Sequence, residues 1–255
     1  MGVIRILSLV LLGFTSALSH AEQINVAVAS NFTAPMQAIV KAFEEQSEHR
    51  IKLSFGSSGK LFAQITHGAP FAIFFSADQT KPKILEEKGL TVQGSRFTYA
   101  TGALALWSTD PTFLDDTASR LQHGDFKKLA LANPKLAPYG VAAHEVLEYY
   151  SLLKATRAKW VQGENISQTY QFISTGNAEL GFVAVSQIMQ QGAIKTGSSW
   201  IIPRELYSPI KQDVALLRQG KDNPAAEALL QFFHTAQAID ILESYGYITA
   251  PSLDK

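Results

Sequence analysis

Three short polar turns in the sequence carry several hydrogen-bond donors, and each turn opens a predicted helix. The turns comprise residues 29–33, 55–59 and 137–140. The first N–H groups of a helix have no partners within the helix and lie at the positive end of its dipole, so they bind anions without a formal cation. Serine, asparagine and tyrosine side chains add further donors. Together these residue types predict a site for a small anion.

Each turn also has a purely structural interpretation. Ser30 and Asn31 are common N-cap residues, a Gly-Ser-Ser-Gly turn is often a flexible connector, and Pro138-Tyr139-Gly140 is typical of a packing turn. The binding interpretation is favoured because the turns recur in both halves of the chain. Each turn also follows the carboxyl end of a predicted strand, where open parallel sheets bind their ligands. A deprotonated oxyanion only accepts hydrogen bonds, so a pocket made of N–H and O–H donors suits it.

The elements that position these turns repeat a strand-helix unit. Residues 24–29 alternate in the manner of a strand, and the apolar residues that follow have the spacing of one helix face: Met36, Ile39, Val40 and Phe43. Further strands are predicted at residues 51–55 and 71–75, and a helix follows each of them. Repeated units of this kind predict a parallel sheet flanked by helices.

A second series of elements follows residues 99–102. It comprises predicted strands at 103–107, 129–132 and 181–185 and predicted helices at 141–153 and 167–175. Near Tyr207 the chain is expected to return to the first series, with a strand at residues 214–217 and helices after Asn223-Pro224. We therefore predict an α/β protein with two lobes, residues 22–100 with 207–255 and residues 101–206, joined by two crossing hinge strands.

The N-terminal residues have the pattern of a secretory signal peptide. Arg5 precedes an apolar run at residues 6–14, and Ser19-His20-Ala21 is a small-x-small cleavage motif. We expect residues 1–21 to be removed and the mature chain to begin at Glu22. The chain has no cysteine and carries 22 basic and 22 acidic residues. It therefore has neither disulfides nor thiolate sites, and it lacks the basic surplus typical of nucleic-acid binding.

Nine segments of the mature chain form a series that matches a known family. They are residues 27–36, 55–61, 68–70, 75–79, 132–134, 137–140, 164–166, 180–183 and 245–247. In this order and at this spacing they resemble the periplasmic molybdate-binding proteins of ABC uptake transporters. The resemblance covers essentially the whole mature chain.

The resemblance implies a fold, a ligand and a set of binding residues. It implies the type II periplasmic binding protein fold, a monomer in the periplasm that captures molybdate or tungstate between its lobes and delivers it to an ABC transporter permease. Such a protein is not an enzyme, has no cofactor, binds molybdenum only as the oxyanion, and does not bind nucleic acid. Carried over by motif, the binding residues are Ser30 or Asn31, Ser58, Tyr139 and the backbone of Ile166. Some family members have a tyrosine where this chain has Ala184, so Tyr139 is expected to supply the phenol instead.

Some of the same residues also match sequence patterns of other protein classes. Ser57 and Lys60 satisfy the S-x-x-K signature of penicillin-recognising serine enzymes, and Lys195-Thr196-Gly197 satisfies K-T-G, but the third signature is missing. His144-Glu145 begins a zinc-protease pattern whose second histidine is replaced by Glu148. Within the binding proteins, the alternative ligands are sulfate, phosphate or an organic anion. Sulfate and molybdate share charge and shape and differ only in size.

Overall fold

The described residues, 21–249 of this computed structural model, form two lobes, each around a five-stranded sheet. The predicted signal peptide lies outside these residues, apart from its last residue, Ala21. The first lobe opens with β1 (Gln23–Ala29), a 3-10 turn (Ser30–Phe32), α1 (Thr33–Glu44), β2 (Arg50–Gly56), α2 (Ser58–Thr66), β3 (Ile73–Phe75), α3 (Thr80–Glu87) and β4 (Phe97–Gly102).

The chain then builds the second lobe and returns to the first. The second lobe contains β5 (Leu104–Ser108), α4 (Ser119–His123), β6 (Leu129–Ala132), α5 (Pro138–Tyr149), α6 (Leu153–Thr156), β7 (Trp160–Gly163), α7 (Ile166–Ser174), β8 (Leu180–Ala184), α8 (Val185–Ile188), β9 (Met189–Gln190), β10 (Ala193–Ile194) and β11 (Ser198–Ile201). The returning segment adds β12 (Ile210–Leu216), α9 (Pro224–Phe232) and α10 (Ala236–Ser244) to the first lobe.

The strand order confirms the predicted two-lobed α/β fold and shows that both sheets are mixed. The first sheet has the order β2-β1-β3-β12-β4, and the second has the order β11-β5-β8-β6-β7. In the first sheet β1 is parallel to β2 and β3, with Val26 opposite Leu53 and Ile73, whereas β12 is antiparallel to β3 and β4. Since β12 returns from the lobe that faces the carboxyl ends of β1 and β3, it runs against them.

Two connections cross between the lobes. The first runs from β4 into β5, and the second runs from β11 through Tyr207 into β12. The Tyr207 hydroxyl accepts a hydrogen bond from the Leu104 N–H at 3.0 Å, which ties the two connections together. Thr101 and Gly102 pair with β12 in the first sheet, just beyond the predicted division at residue 100. The predicted lobe ranges themselves stay a prediction.

Apolar side chains cover both faces of the first sheet. The predicted apolar face of α1 is buried and packs with Phe32, Phe75 and Phe233 on one side. Phe74 points to the opposite side, where it packs with Leu61 and Leu85. Because successive side chains of a strand face opposite ways, β3 is covered on both faces and its carboxyl end is held firmly in the sheet.

Several predicted element boundaries differ from the structure. The helix predicted at residues 141–153 begins three residues earlier as α5 and ends before Ser151, whose φ of 59° is left-handed. A left-handed residue cannot continue a right-handed helix, so a separate short helix, α6, follows. The strand predicted at residues 71–75 contains only Ile73–Phe75. No helix within residues 21–249 is long and apolar enough to cross a membrane.

His144 of α5 is a partly buried histidine without a partner on one ring nitrogen. Its ring lies 5.0 Å from that of Trp160, and Nε2 is buried with no hydrogen-bond acceptor or donor in residues 21–249. Burial lowers the pKa of the His144 imidazole below its ordinary value, and the nearby Arg157 lowers it further. The folded lobe therefore favours the neutral ring.

We expect acid to destabilise the fold through His144. The unfolded chain binds a proton on this residue more readily than the folded chain, so the free energy of unfolding should fall as the pH drops below about 6.5. Urea unfolding on either side of that pH measures the effect. His144→Phe, which packs on Trp160 but cannot be protonated, should lose less stability in acid than the parent. The exposed His123 supplies the control, and an equal loss in His144→Phe and His123→Gln would contradict this role.

Candidate functional site

A small cavity lies between the lobes, at the carboxyl ends of β1, β2 and β3. Its lining residues are Ala29, Ser30, Asn31, Ser57, Ser58, Ala77, Ala137, Pro138, Tyr139 and Ile166. All the binding residues predicted from the sequence are in this set. The cavity volume is about 10 Å³ for the centre of a water-sized sphere, against about 300–1,000 Å³ for pockets that hold drug-sized ligands. In this closed arrangement the free space is that of about one water molecule.

Four helical starts converge on this cavity. The 3-10 turn begins at Ser30, α2 begins at Ser58, α5 begins at Pro138 and α7 begins at Ile166. Two of these starts come from each lobe. Each of the three α-helices directs the unpaired N–H groups and the positive dipole end of its first turn toward the same region. Proline at the first position of α5 has no N–H, so Tyr139 is the first possible backbone donor there.

The two adjacent serines of the second turn have different roles. The Ser57 side chain caps α2, because its Oγ accepts a hydrogen bond from the Lys60 N–H at 3.3 Å. The Ser58 Oγ accepts from the Ala77 N–H at 2.9 Å. That bond uses an oxygen lone pair of Ser58 and leaves the hydroxyl proton free for a ligand.

Lys60 does not face the cavity. Its Nζ lies 3.0 Å from Glu164 Oε1, and the two side chains are 55% and 44% exposed. Ser57 is occupied as a helix cap and Lys60 pairs with Glu164, so the geometry does not favour a serine nucleophile activated by this lysine. No charged side chain lines the cavity.

Tyr139 reaches the cavity from the second lobe. Its ring is 1% exposed, and its hydroxyl accepts a hydrogen bond from Gln212 Nε2 at 3.2 Å. Burial raises the pKa of the Tyr139 phenol well above its ordinary value, so the hydroxyl keeps its proton. The side chain passes directly over Gly102 of β4, where a Cβ atom would overlap the Tyr139 hydroxyl and lie 2.5 Å from Gln212 Nε2. Glycine is therefore required at this point of the hinge.

Asn31 has no side-chain proton left for a ligand. Its Nδ2 donates to Gln212 Oε1 at 2.9 Å and to the Tyr247 hydroxyl at 2.8 Å. Because an amide nitrogen has two protons, both are occupied. Of the alternatives Ser30 and Asn31, Ser30 thus carries the available side-chain donor, and any direct donation by Asn31 falls to its backbone N–H.

Hydrogen bonds between the lobes surround the cavity. Ser167 Oγ donates to the Ser30 carbonyl at 3.0 Å, and Ser186 Oγ donates to the Asn31 carbonyl at 2.8 Å. The Gly59 N–H donates to the Leu136 carbonyl at 3.0 Å. A Cβ atom at Gly59 would lie 3.0 Å from that carbonyl oxygen, so glycine permits the close approach. The lobes are closed around the site.

Sequence reasoning missed the residues that support the site from behind. Gln212 and Ser186 are buried polar residues that the motifs did not include, and Tyr247 was part of a matching segment without an assigned role. No signal marked Gln212, because it lies between Lys211 and Asp213 in β12 and the strand predicted from the sequence began only at residue 214. No cluster of three or more histidine, aspartate or glutamate side chains suited to a metal ion occurs in residues 21–249.

The chain is similar to known binding proteins over nearly its whole length. Residues 24–248 match the family described as "Bacterial extracellular solute-binding protein". The molybdate-binding protein ModA of Azotobacter vinelandii is 48% identical over 92% of this chain and 93% of that protein. The ModA protein of Rhodobacter capsulatus is 46% identical over 90% and 89%, respectively. The solved periplasmic molybdate-binding protein of Azotobacter vinelandii superposes with a TM-score of 0.85 and 36% identity, covering 88% of this chain and 98% of that one.

The contact between Gly102 and Tyr139 leads to a test of the hinge geometry. Gly102→Ala should lower the Tm, because overpacking of this kind costs about 1–3 kcal/mol. The loss should be smaller in a Tyr139→Phe background, where the hydroxyl that the new methyl group meets is absent. Thermal unfolding of the parent, both single variants and the double variant measures this coupling. Strictly additive losses would show that the two positions do not meet.

Proposed function

The chain belongs to the bacterial extracellular solute-binding proteins, and we propose that it captures molybdate or tungstate between its two lobes and delivers it to an ABC transporter permease. The observation that carries the proposal is that one cavity between the lobes is lined by all five predicted residues, Ser30, Asn31, Ser58, Tyr139 and Ile166. These residues supply backbone and hydroxyl donors from both lobes. The named molybdate-binding relatives, which align over most of the chain, support the same ligand.

The donor set suits a deprotonated oxyanion. Molybdate, tungstate and sulfate carry no proton at neutral pH, so each oxygen only accepts hydrogen bonds. Hydrogen phosphate carries a proton that needs an acceptor, and no carboxylate lines the cavity. Phosphate is therefore the weaker alternative on chemical grounds, whereas sulfate is separated from molybdate only by size.

Binding is coupled to closure of the lobes. An anion that touches Ser58 on the first lobe and Tyr139 on the second stabilises the closed form by the difference between its affinities for the closed and open forms. The proposed cycle involves no chemical change of the ligand. We further propose that the protein acts as a monomer in the periplasm and presents its closed form to the permease.

A panel of oxyanions tests the ligand. Ligand at about a thousand times its Kd adds roughly 4 kcal/mol of stability, and each kcal/mol moves the Tm of a protein of this size by about 2–4 °C. Molybdate and tungstate should raise the Tm by on the order of 10 °C, with sulfate and phosphate well behind. An equal shift with sulfate would overturn the size selection, and no shift with any oxyanion would overturn the proposed function.

The neighbouring serines provide a matched pair of variants. Ser58→Ala removes a hydroxyl donor to the dianion, and molybdate affinity should fall by about 10- to 150-fold, since a hydrogen bond to a charged group contributes about 1.5–3 kcal/mol. Ser57→Ala removes a helix cap, so it should lower stability by about 1 kcal/mol while affinity changes only a few-fold. Calorimetric titration and thermal unfolding separate the two effects. A loss of affinity in Ser57→Ala as large as that in Ser58→Ala would contradict the assignment.

A further inference from the structure

Gln212 lies behind the cavity at the point where the hinge meets the first lobe. It is fully buried in β12, next to an irregularity in the pairing of β12 with β4. Its Oε1 accepts from Asn31 Nδ2 at 2.9 Å and from the Tyr99 hydroxyl at 2.8 Å, and its Nε2 donates to the Tyr139 hydroxyl at 3.2 Å. One amide thus holds a residue of each lobe.

The directions of these hydrogen bonds are fixed by chemistry. The amide nitrogen of Gln212 only donates, so the Tyr139 oxygen must accept from it, and the phenolic proton of Tyr139 is left to point elsewhere. The amide oxygen only accepts, so it receives the protons of Tyr99 and Asn31. The bond from Gln212 therefore occupies part of the acceptor capacity of Tyr139 and leaves the phenolic proton available for donation.

The same network extends beyond Gln212 into the second lobe. Asn31 Nδ2 also donates to the Tyr247 hydroxyl, which lies 3.2 Å from Ser186 Oγ, and Ser186 Oγ donates to the Asn31 carbonyl at 2.8 Å. Burial raises the pKa of Tyr247 to about 12, so this phenol stays protonated at neutral pH. The side chains of Asn31, Gln212, Tyr247 and Ser186 in this network are all neutral.

We propose that Gln212 is a positioning residue that holds Tyr139 as a hydrogen-bond donor to the cavity and thereby favours oxyanions that carry no proton. The proposal rests on the proposed function, because it concerns how the same cavity discriminates among oxyanions. Gln212 itself does not line the cavity. It acts through Tyr139 and Asn31.

Replacing the amide by a carboxylate reverses the direction of one hydrogen bond. In Gln212→Glu an ionised carboxylate accepts the phenolic proton of Tyr139, so the lone pairs of Tyr139 then face the cavity. A lone pair repels a molybdate oxygen but accepts the proton of hydrogen phosphate. The variant should therefore bind molybdate at least 10- to 150-fold more weakly, the loss expected for one charge-assisted hydrogen bond of about 1.5–3 kcal/mol. Phosphate should lose less, so the molybdate-to-phosphate affinity ratio falls by roughly tenfold or more.

The experiment is calorimetric titration of molybdate and phosphate into the parent, Gln212→Glu and Gln212→Met, each with Tyr139 and with Tyr139→Phe. If Gln212 acts through the Tyr139 proton, Tyr139→Phe weakens molybdate binding in the parent by about 10- to 150-fold but changes it by less than about threefold in Gln212→Glu. Gln231→Glu adds the same charge at an exposed position of α9 and should leave both affinities unchanged.

The outcomes distinguish this inference from the function on which it rests. A parent protein that does not bind molybdate overturns the proposed function. A parent that binds molybdate, with Gln212→Glu losses that add to those of Tyr139→Phe and an unchanged ligand ratio, overturns the role of Gln212 alone. Gln212→Met removes the Nε2 donor without adding charge, so it tests the same role of Gln212 if Gln212→Glu fails to fold. Its several-fold loss of molybdate affinity should shrink in the Tyr139→Phe background.

Discussion

A dianion buried without a counter-charge is the constraint on which the rest of this structure depends. Taking a charge out of water is expensive unless the protein replaces the lost hydration with donors that are already in place. In the proposed site these donors come from the helix starts at Ser30, Ser58 and Ile166 and from Tyr139, all of which line the cavity. A turn from a strand into a helix exposes such N–H donors by itself. β1, β2 and β3 end at the cavity because their turns place these donors there.

The same constraint explains the two lobes and the polar network between them. In the proposed cycle the lobes close on a small anion at the four helical starts and open to release it, with the two crossing connections as the hinge. Gly102 lets Tyr139 pass over the hinge strand, and Gln212 on the neighbouring strand holds the phenol in place. The strands that connect the lobes therefore also fix the position of Tyr139 at the cavity.

Sequence reasoning reached the fold class and the residues around the cavity because their signals are local. Strand-helix repeats and helix-start turns involve contiguous residues, and their order along the chain matched that of a known family. The supporting network was out of reach, because Asn31 meets Gln212 and Tyr247 across 181 and 216 positions of sequence. Four-residue strands such as β7 and β11 are too short to show a period. The end of α5 depends on a single left-handed residue, Ser151, that no pattern marks.

The hydrogen bonds that join the lobes differ in how easily a substitution can remove them. Ser30, Asn31 and Leu136 accept these bonds through their main-chain carbonyls, and Gly59 donates through its main-chain N–H. Substitution of a side chain does not remove a peptide group. The acceptors of this seam therefore survive substitution at Ser30, Asn31 or Leu136, and so does the Leu136–Gly59 bond as long as residue 59 can approach closely. The other two bonds each depend on one serine hydroxyl, Ser167 or Ser186, so a single substitution at either position would loosen the closed form without touching the cavity lining.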